Sequence, residues 1–197
     1  MATEQASLLS KEIYAGFWIR FGAFCIDTLI VTPLFAPLIF MDGMSKTMYY
    51  TLLVPNIICG LFLSIYCVKK WGGTPGKLAL GLKIVMENGE DVDWPAVFWR
   101  PSVIYFHYFV SETVKLLSMQ QIPDDVFVSL THLERTQALS AVYPKLSLQL
   151  LILGNIWLLE SLFLLLNKKR KAIHDFMAGT VVIRRKDQAR LQAGEDF

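Results

Sequence analysis

The stretch that most limits this chain is its first long apolar run, FWIRFGAFCIDTLIVTPLFAPLIF, from Phe17 to Phe40. About 20 apolar residues suffice to cross a bilayer as a helix, so the run is long enough. It nevertheless carries Arg20 and Asp27, seven positions apart. At about 100° per residue that spacing is roughly 700°, within about 20° of two full turns, so both side chains share one helix face. The rise between them is about 10 Å. A charge facing lipid costs about 2.5–3.5 kcal/mol on insertion scales. The charged face must therefore look into protein or water, and another part of the chain must receive it.

Composition agrees with a membrane reading. The 197 residues are 54% hydrophobic and 18% charged, with a mean hydropathy of +0.43. An ordinary soluble domain carries about 25% charged residues. The apolar residues fall in long blocks, which predicts one polytopic membrane domain without a detached soluble one. A net charge of +2 is too small to suggest nucleic acid as a partner. Cys25, Cys59 and Cys67 lie inside apolar runs without CxxC spacing. They read as small buried hydrophobes, with no zinc or redox motif. The three histidines, His107, His132 and His174, show no nucleophile–base arrangement. Neither an enzyme nor a cofactor is expected. The opening MATEQASLLSKEIYAG lacks the features of a signal peptide, so the first span is expected to stay attached.

In chain order, Ile13 to Ile19 predicts an interfacial helix start, with Tyr14 and Trp18 at headgroup level. Gly16 and Gly22 would let another helix approach, and Pro33 and Pro37 would bend the outer end of the span. A second span is expected at about 50–68, with Pro55 and Gly60 inside it. Asn56 is either an interhelical hydrogen-bonder or a locally satisfied amide. Lys69 and Lys70 end that span, and WGGTPGKLALGLKIVMENGEDVDW follows. Its glycines and Pro75 make a turn that is not a phosphate-binding loop. Trp71 stands where the first glycine would be, and Leu78 replaces the required Ser or Thr. A short helix or membrane-surface segment is expected over 77–82, a strand over 82–86, and a tight turn at Asn88-Gly89.

The third span, about 96–117, contains Arg100, His107, Glu112 and Lys115. A soluble amphipathic helix is the competing reading there. Arg100 and His107 are again seven apart and share a face, while Glu112 and Lys115 can pair. Residues 123–143 read as one amphipathic helix in a polar outer connection, opened by Pro123, Asp124 and Asp125. A fourth span runs about 148–166, with Glu160 either facing the bundle or snorkelling. The tail NKKRKAIHDFMAGTVVIRRK gives a basic run, a short helix with His174 and Asp175, and a strand TVVIR that could pair with LKIVM. Lysine and arginine crowd residues 69–83 and the tail, and are sparse in the other connections. Both termini are then cytoplasmic. The expected fold is an all-α membrane protein: four transmembrane helices, an outer amphipathic helix and a small cytoplasmic strand pair.

These residues resemble the RDD family of small bacterial inner-membrane proteins. Its naming residues match Arg20, Asp27 and, within KKRKAIHDFMAGTVVI, Asp175. GGTPGKLALGLKIV is similar to its glycine-rich signature. The resemblance covers nearly the whole chain, in order; residues 123–143 fit no motif. It implies transport, with sodium–proton antiport implicated for some relatives, and Na+ or H+ as the ion.

Two functional expectations stand together. In the first, Asp27 is an ion-carrying carboxylate tuned by Arg20, with Asp175 at the cytoplasmic mouth and Arg100 and His174 in the same charge network. Four spans show no inverted repeat, so a homodimer would supply the missing half. In the second, the network fixes the first span against the tail, and the protein is a non-catalytic scaffold or partner-binding subunit.

Overall fold

The computed structural model describes residues 13–42, 44–165 and 169–194, apart from the side chains of 34–42 and 156–162. The chain divides into two compact units. The first comprises Met1–Val31, Gly60–Ser102 and Leu158–Phe197; the second comprises Thr32–Cys59 and Val103–Trp157.

The first apolar run forms helix α1, Phe17–Asp42. It continues as one element past Pro33 and Pro37; how the side chain of Pro37 packs lies outside the described residues. The second run forms helix α2, Lys46–Trp71, with a π-turn at Phe62–Tyr66. Within it, Ser64 donates to the carbonyl of Gly60 at 2.7 Å. Helix α2 ends on Gly72, whose φ of +78° is left-handed and whose N–H returns to the carbonyl of Val68 at 2.9 Å. Among the described residues, α2 is the one helix long and apolar enough to cross a membrane. Asn56 on this helix has no hydrogen-bond partner among the described residues.

Unit one is built on a two-stranded antiparallel sheet. After a short helix α3, Pro75–Ala79, strand β1, Leu82–Met86, pairs with strand β2, Thr180–Arg184. The register runs from Leu82 opposite Arg184 to Met86 opposite Thr180. Alternate side chains serve two cores, as a pleated strand dictates. Leu82, Ile84 and Val182 pack with Ala15, Ala23, Val68 and Val97. Val85, Val181 and Ile183 pack with Ile13, Tyr14 and Leu191. Both faces are covered, and this explains the uninterrupted apolar runs of both strands. The expected strand pairing is therefore present, with the expected limits.

The start of the chain differs from expectation. Tyr14, expected at headgroup level, is buried and forms an isolated bridge with Ile183. The N–H of Ala15 donates to Val182 at 2.9 Å. Tyr14 and Ala15 thus extend the sheet edge, and α1 begins only at Phe17. The sheet's unpaired backbone groups are a stronger attraction than an interface helix of four or five residues.

The expected third span is broken. It forms helix α4, Trp94–Trp99, then a turn at Arg100 and Pro101, then helix α5, Ser102–Gln120. Pro101 has no N–H to donate, so the hydrogen-bond ladder stops there, while Arg100 itself keeps helical angles at the end of α4. Arg100 therefore caps α4 and His107 stands on α5, where one helix was expected.

Unit two contains α5 and three further helices: α6, Asp124–Ser129; α7, His132–Val142; and α8, Pro144–Glu160, which belongs to it as far as Trp157. The single helix expected over 123–143 is two, because Thr131 stops one and caps the next. Its side chain and that of Glu134 form a reciprocal capping box. Tyr49, Met119, Ile122, Phe127 and Leu139 make the local core. Glu112 and Lys115 do not pair as expected. Glu112 accepts the Tyr49 hydroxyl, and the Lys115 ammonium lies 4.3 Å from the Tyr49 ring centre. His107 donates to the Leu150 carbonyl at 2.9 Å. Gly154 makes room for it: a Cβ there would lie 3.4 Å from the imidazole. The side chain of Glu160 lies outside the described residues.

Ile84 is fully buried between β2 and helices of unit one. Ile84→Ala is expected to destabilise the protein by about 2–5 kcal/mol, read by denaturant unfolding of the purified protein.

Candidate functional site

Arg20 stands one turn into α1 and meets the tail. Its Nη1 donates to Asp175 Oδ2 at 2.6 Å. Its Nε donates to the Ala15 carbonyl at 3.0 Å, and its Nη2 to the Arg170 carbonyl at 2.6 Å. Arg170 presents that carbonyl from a left-handed conformation, φ +45°, which residues other than glycine seldom adopt. Its own Nη1 is tied to the Tyr14 carbonyl at 3.2 Å. Gly16 is needed beside it, since a Cβ there would lie 2.8 Å from Arg170 Nη1. The room Gly16 provides is thus for an arginine rather than a neighbouring helix.

Asp175 is fully buried in helix α9, Ile173–Met177. Being in the first turn, its Oδ2 reaches back to the N–H of Ala172 at 3.1 Å. A second guanidinium closes the other oxygen: Arg100 Nη2 and Nε donate to Oδ1 at 2.6 and 3.2 Å. Arg100 Nη2 also lies 2.9 Å from His174 Nε2. A guanidinium only donates, so that nitrogen accepts. Thr180 adds a longer hydroxyl contact to Oδ1 at 3.4 Å. Burial by itself would push the Asp175 carboxyl up. Arg100 and Arg20 outweigh it and hold the group well below the usual carboxylate range. Arg100 reaches Asp175 from the end of α4, where its backbone is still helical and its N–H meets the Ala96 carbonyl at 3.0 Å.

Asp27 lies two turns further along α1 and does not join that cluster. Its Oδ2 accepts the Thr74 hydroxyl at 2.6 Å, and its Oδ1 accepts the N–H of Gly76 at 2.6 Å. These donors come from the start of α3, where N–H groups lack helical partners. Gly76 has no alternative: a Cβ there would lie 2.2 Å from the Ala23 carbonyl oxygen and 2.8 Å from the Asp27 carboxyl carbon. Lys77 follows, and its Nζ reaches the Thr74 hydroxyl at 3.4 Å. Burial pushes the Lys77 ammonium down to about 8, helped by the like charge of Arg100 and opposed by Asp27.

The sequence-predicted residues thus fall in two places. Arg20, Arg100, His174 and Asp175 come together; Asp27 has its own site. The partners that sequence reasoning missed are Thr74, Gly76 and Lys77. Their signal was present in GGTPGK, which reads as a turn until the carboxylate it serves is known. Among the described residues no group of His, Cys, Asp and Glu could hold a metal ion.

The sequence profile of the RDD family matches residues 14–179. The chain belongs to the RDD family. Among relatives in Bacillus subtilis (strain 168), it is similar to the uncharacterized protein YxaI, with 34% identity over 120 residues, covering 49% of this chain and 77% of YxaI. It is also similar to the uncharacterized membrane protein YteJ, with 31% identity over 109 residues, covering 51% of this chain and 66% of YteJ. No solved structure matches it. This RDD protein is accordingly a membrane protein. Its exposed apolar side chains fit that placement, with Trp18 79%, Leu29 73% and Phe109 70% accessible in the isolated chain.

Asp175→Asn would leave two buried guanidinium groups short of their counter-charge. It is expected to destabilise the RDD protein by about 3–5 kcal/mol in denaturant or thermal unfolding. Because the native carboxyl is held low, this contribution is complete above the ordinary carboxylate range and is lost as pH falls through and below it.

Lys77 gives the opposite sign. Its folded value of about 8 lies under the ordinary 10.5. The unfolded chain therefore holds the proton longer, and stability should rise between about pH 8 and 10.5. Amine labelling of Lys77, followed by mass spectrometry, should show a midpoint near pH 8. Asp27→Asn should move that midpoint lower still, because it removes the charge that favours the ammonium.

Proposed function

We propose that this RDD protein is transport-related, binding a monovalent cation at Asp27 in exchange for a proton released by Lys77, with no enzymatic activity. The observation that carries the reading is the coupling of Asp27 to Lys77 through Thr74. Asp27 is an acid on a membrane helix, and intramembrane acids mark ion paths more often than surface ones do. It has one hydroxyl and one N–H as neutral donors, and it shares Thr74 with an amine that titrates near pH 8. While Lys77 is charged, the ammonium offsets the carboxylate. When Lys77 releases its proton, Asp27 becomes an uncompensated anion, and a sodium ion can take the place of the lost charge. One proton leaves for each cation bound, so the exchange is electroneutral.

Asp175 is unsuited to that role. It is saturated with donors and fixed between two arginines, so it serves as the joint that docks the tail on α1. Four crossings, both termini in the cytoplasm and a homodimer complete the reading. Its support is the lysine and arginine asymmetry along the chain and the four long apolar runs.

The saturated joint also favours a second reading, a membrane scaffold or partner-binding subunit in which both clusters are purely structural. Proteoliposome flux separates the two. Under transport, the native protein exchanges Na+ for H+, Asp27→Asn abolishes the flux with folded yield intact, and Lys77→Arg shifts its pH dependence upward. A native protein with no flux, combined with collapse of folded yield in Asp27→Asn, would leave the scaffold reading.

A further inference from the structure

A further charged cluster lies in unit one and shares no residue with either carboxylate site. At the end of α2 the chain encloses an open cavity of about 280 Å³. Four cations line it: Lys69 and Lys70 from α2, Lys83 from β1, and Arg185 just after β2. One carboxylate, Asp91, faces them. Two of the cations are committed. Lys69 donates to the Val92 carbonyl at 2.7 Å and lies 5.7 Å from the Trp94 ring centre. Lys83 donates to Asp91 at 2.7 Å and to Gln188 at 3.0 Å. The side chains of Lys70 and Arg185 are exposed and have no hydrogen-bond or ion-pair partner among the described residues. The cavity is thus held in shape by one pair of cations and left with positive charge by the other.

Its position narrows the ligand. It opens at the terminus of the helix that is long and apolar enough to cross a membrane. Just below the lysines, that helix presents an aromatic ladder. Phe62 stacks on Tyr66 with ring centres 5.1 Å apart, and both meet Trp71 edge-on at 6.5 and 6.1 Å. All three are about half exposed. Aromatic residues of this kind sit at the level of lipid headgroups, and basic pockets beside them take anionic headgroups. Coiling of basic residues at a helix C-terminus also suits the helix dipole. The dipole accounts for Lys69 and Lys70, but not for Lys83 and Arg185 converging from the two strands.

We propose that this cavity binds a phosphate-bearing anion, the headgroup of an anionic phospholipid, with its acyl chain along Phe62, Tyr66 and Trp71. The site is independent of cation exchange at Asp27, so either reading can fail alone. Lipid held there would tie the strand pair to the membrane surface beside the end of α2.

The test uses the full chain purified in a neutral detergent. Its thermal unfolding is followed while phosphatidylglycerol, phosphatidylcholine or inorganic phosphate is added. Phosphatidylglycerol should stabilise the protein saturably, and phosphatidylcholine should not. The double variant Lys70→Glu/Arg185→Glu should weaken the response to phosphatidylglycerol at least about tenfold. Lys145→Glu, an exposed residue of unit two, should leave it unchanged. Unfolding without added lipid reports whether each variant folds, and the milder pair Lys70→Gln/Arg185→Gln is read in the same way. Equal stabilisation by both lipids, or equal loss in Lys145→Glu, would overturn the site. Stabilisation by inorganic phosphate with nothing added by phosphatidylglycerol would overturn the lipid as its source.

Discussion

A buried carboxylate clamped by two guanidinium groups governs this RDD protein's first unit. Asp175 by itself would be expensive to bury, and so would either arginine. Together they are satisfied, because each carboxylate oxygen has a charged donor and each guanidinium also has neutral acceptors or neighbours. The cost of breaking such a pair exceeds the net gain of making it. The cluster therefore specifies a geometry more than it adds stability. Helix α1, the turn at Pro101 and helix α9 must all be in register before any of the three charges is accommodated.

That requirement explains details which otherwise look unrelated. Arg170 accepts a left-handed backbone so that its carbonyl can meet Arg20. Gly16 yields space to the same side chain. The strands are apolar on both faces because the segment before α1 and the helices of the unit cover both sides of a two-stranded sheet, which would be marginal alone. Lys171 is buried against Glu87 and the Phe176 ring, so part of the basic run belongs to the fold rather than to solvent.

Asp27 contrasts with Asp175 in the kind of donors it receives. Two arginines hold Asp175; a hydroxyl and an N–H hold Asp27. The first arrangement fixes ionisation, and the second leaves charge balance to a nearby amine. Two acids of one family signature thus have different physical characters.

Much of this was determined by the sequence. Seven-residue spacing put Arg20 and Asp27 on one face of α1, because helix periodicity is local. Leu82–Met86 and Thr180–Arg184 were legible as strands, because β-branched residues and flanking glycines are local signals too. What the sequence could not convey was which acid each charge would meet. Arg20 chose Asp175, 155 positions away, over its neighbour on the same face. Arg100 closes helix α4 instead of sharing a helix with His107, because Pro101 interrupts the hydrogen-bond ladder, and its side chain meets the buried Asp175. Thr74 and Gly76 looked like a turn and Lys77 like the start of a short helix, and their link to Asp27 came only when α3 packed against α1. Spacing along one helix is set by bond geometry; pairing between distant segments is set by desolvation, and that exists only once the chain has folded.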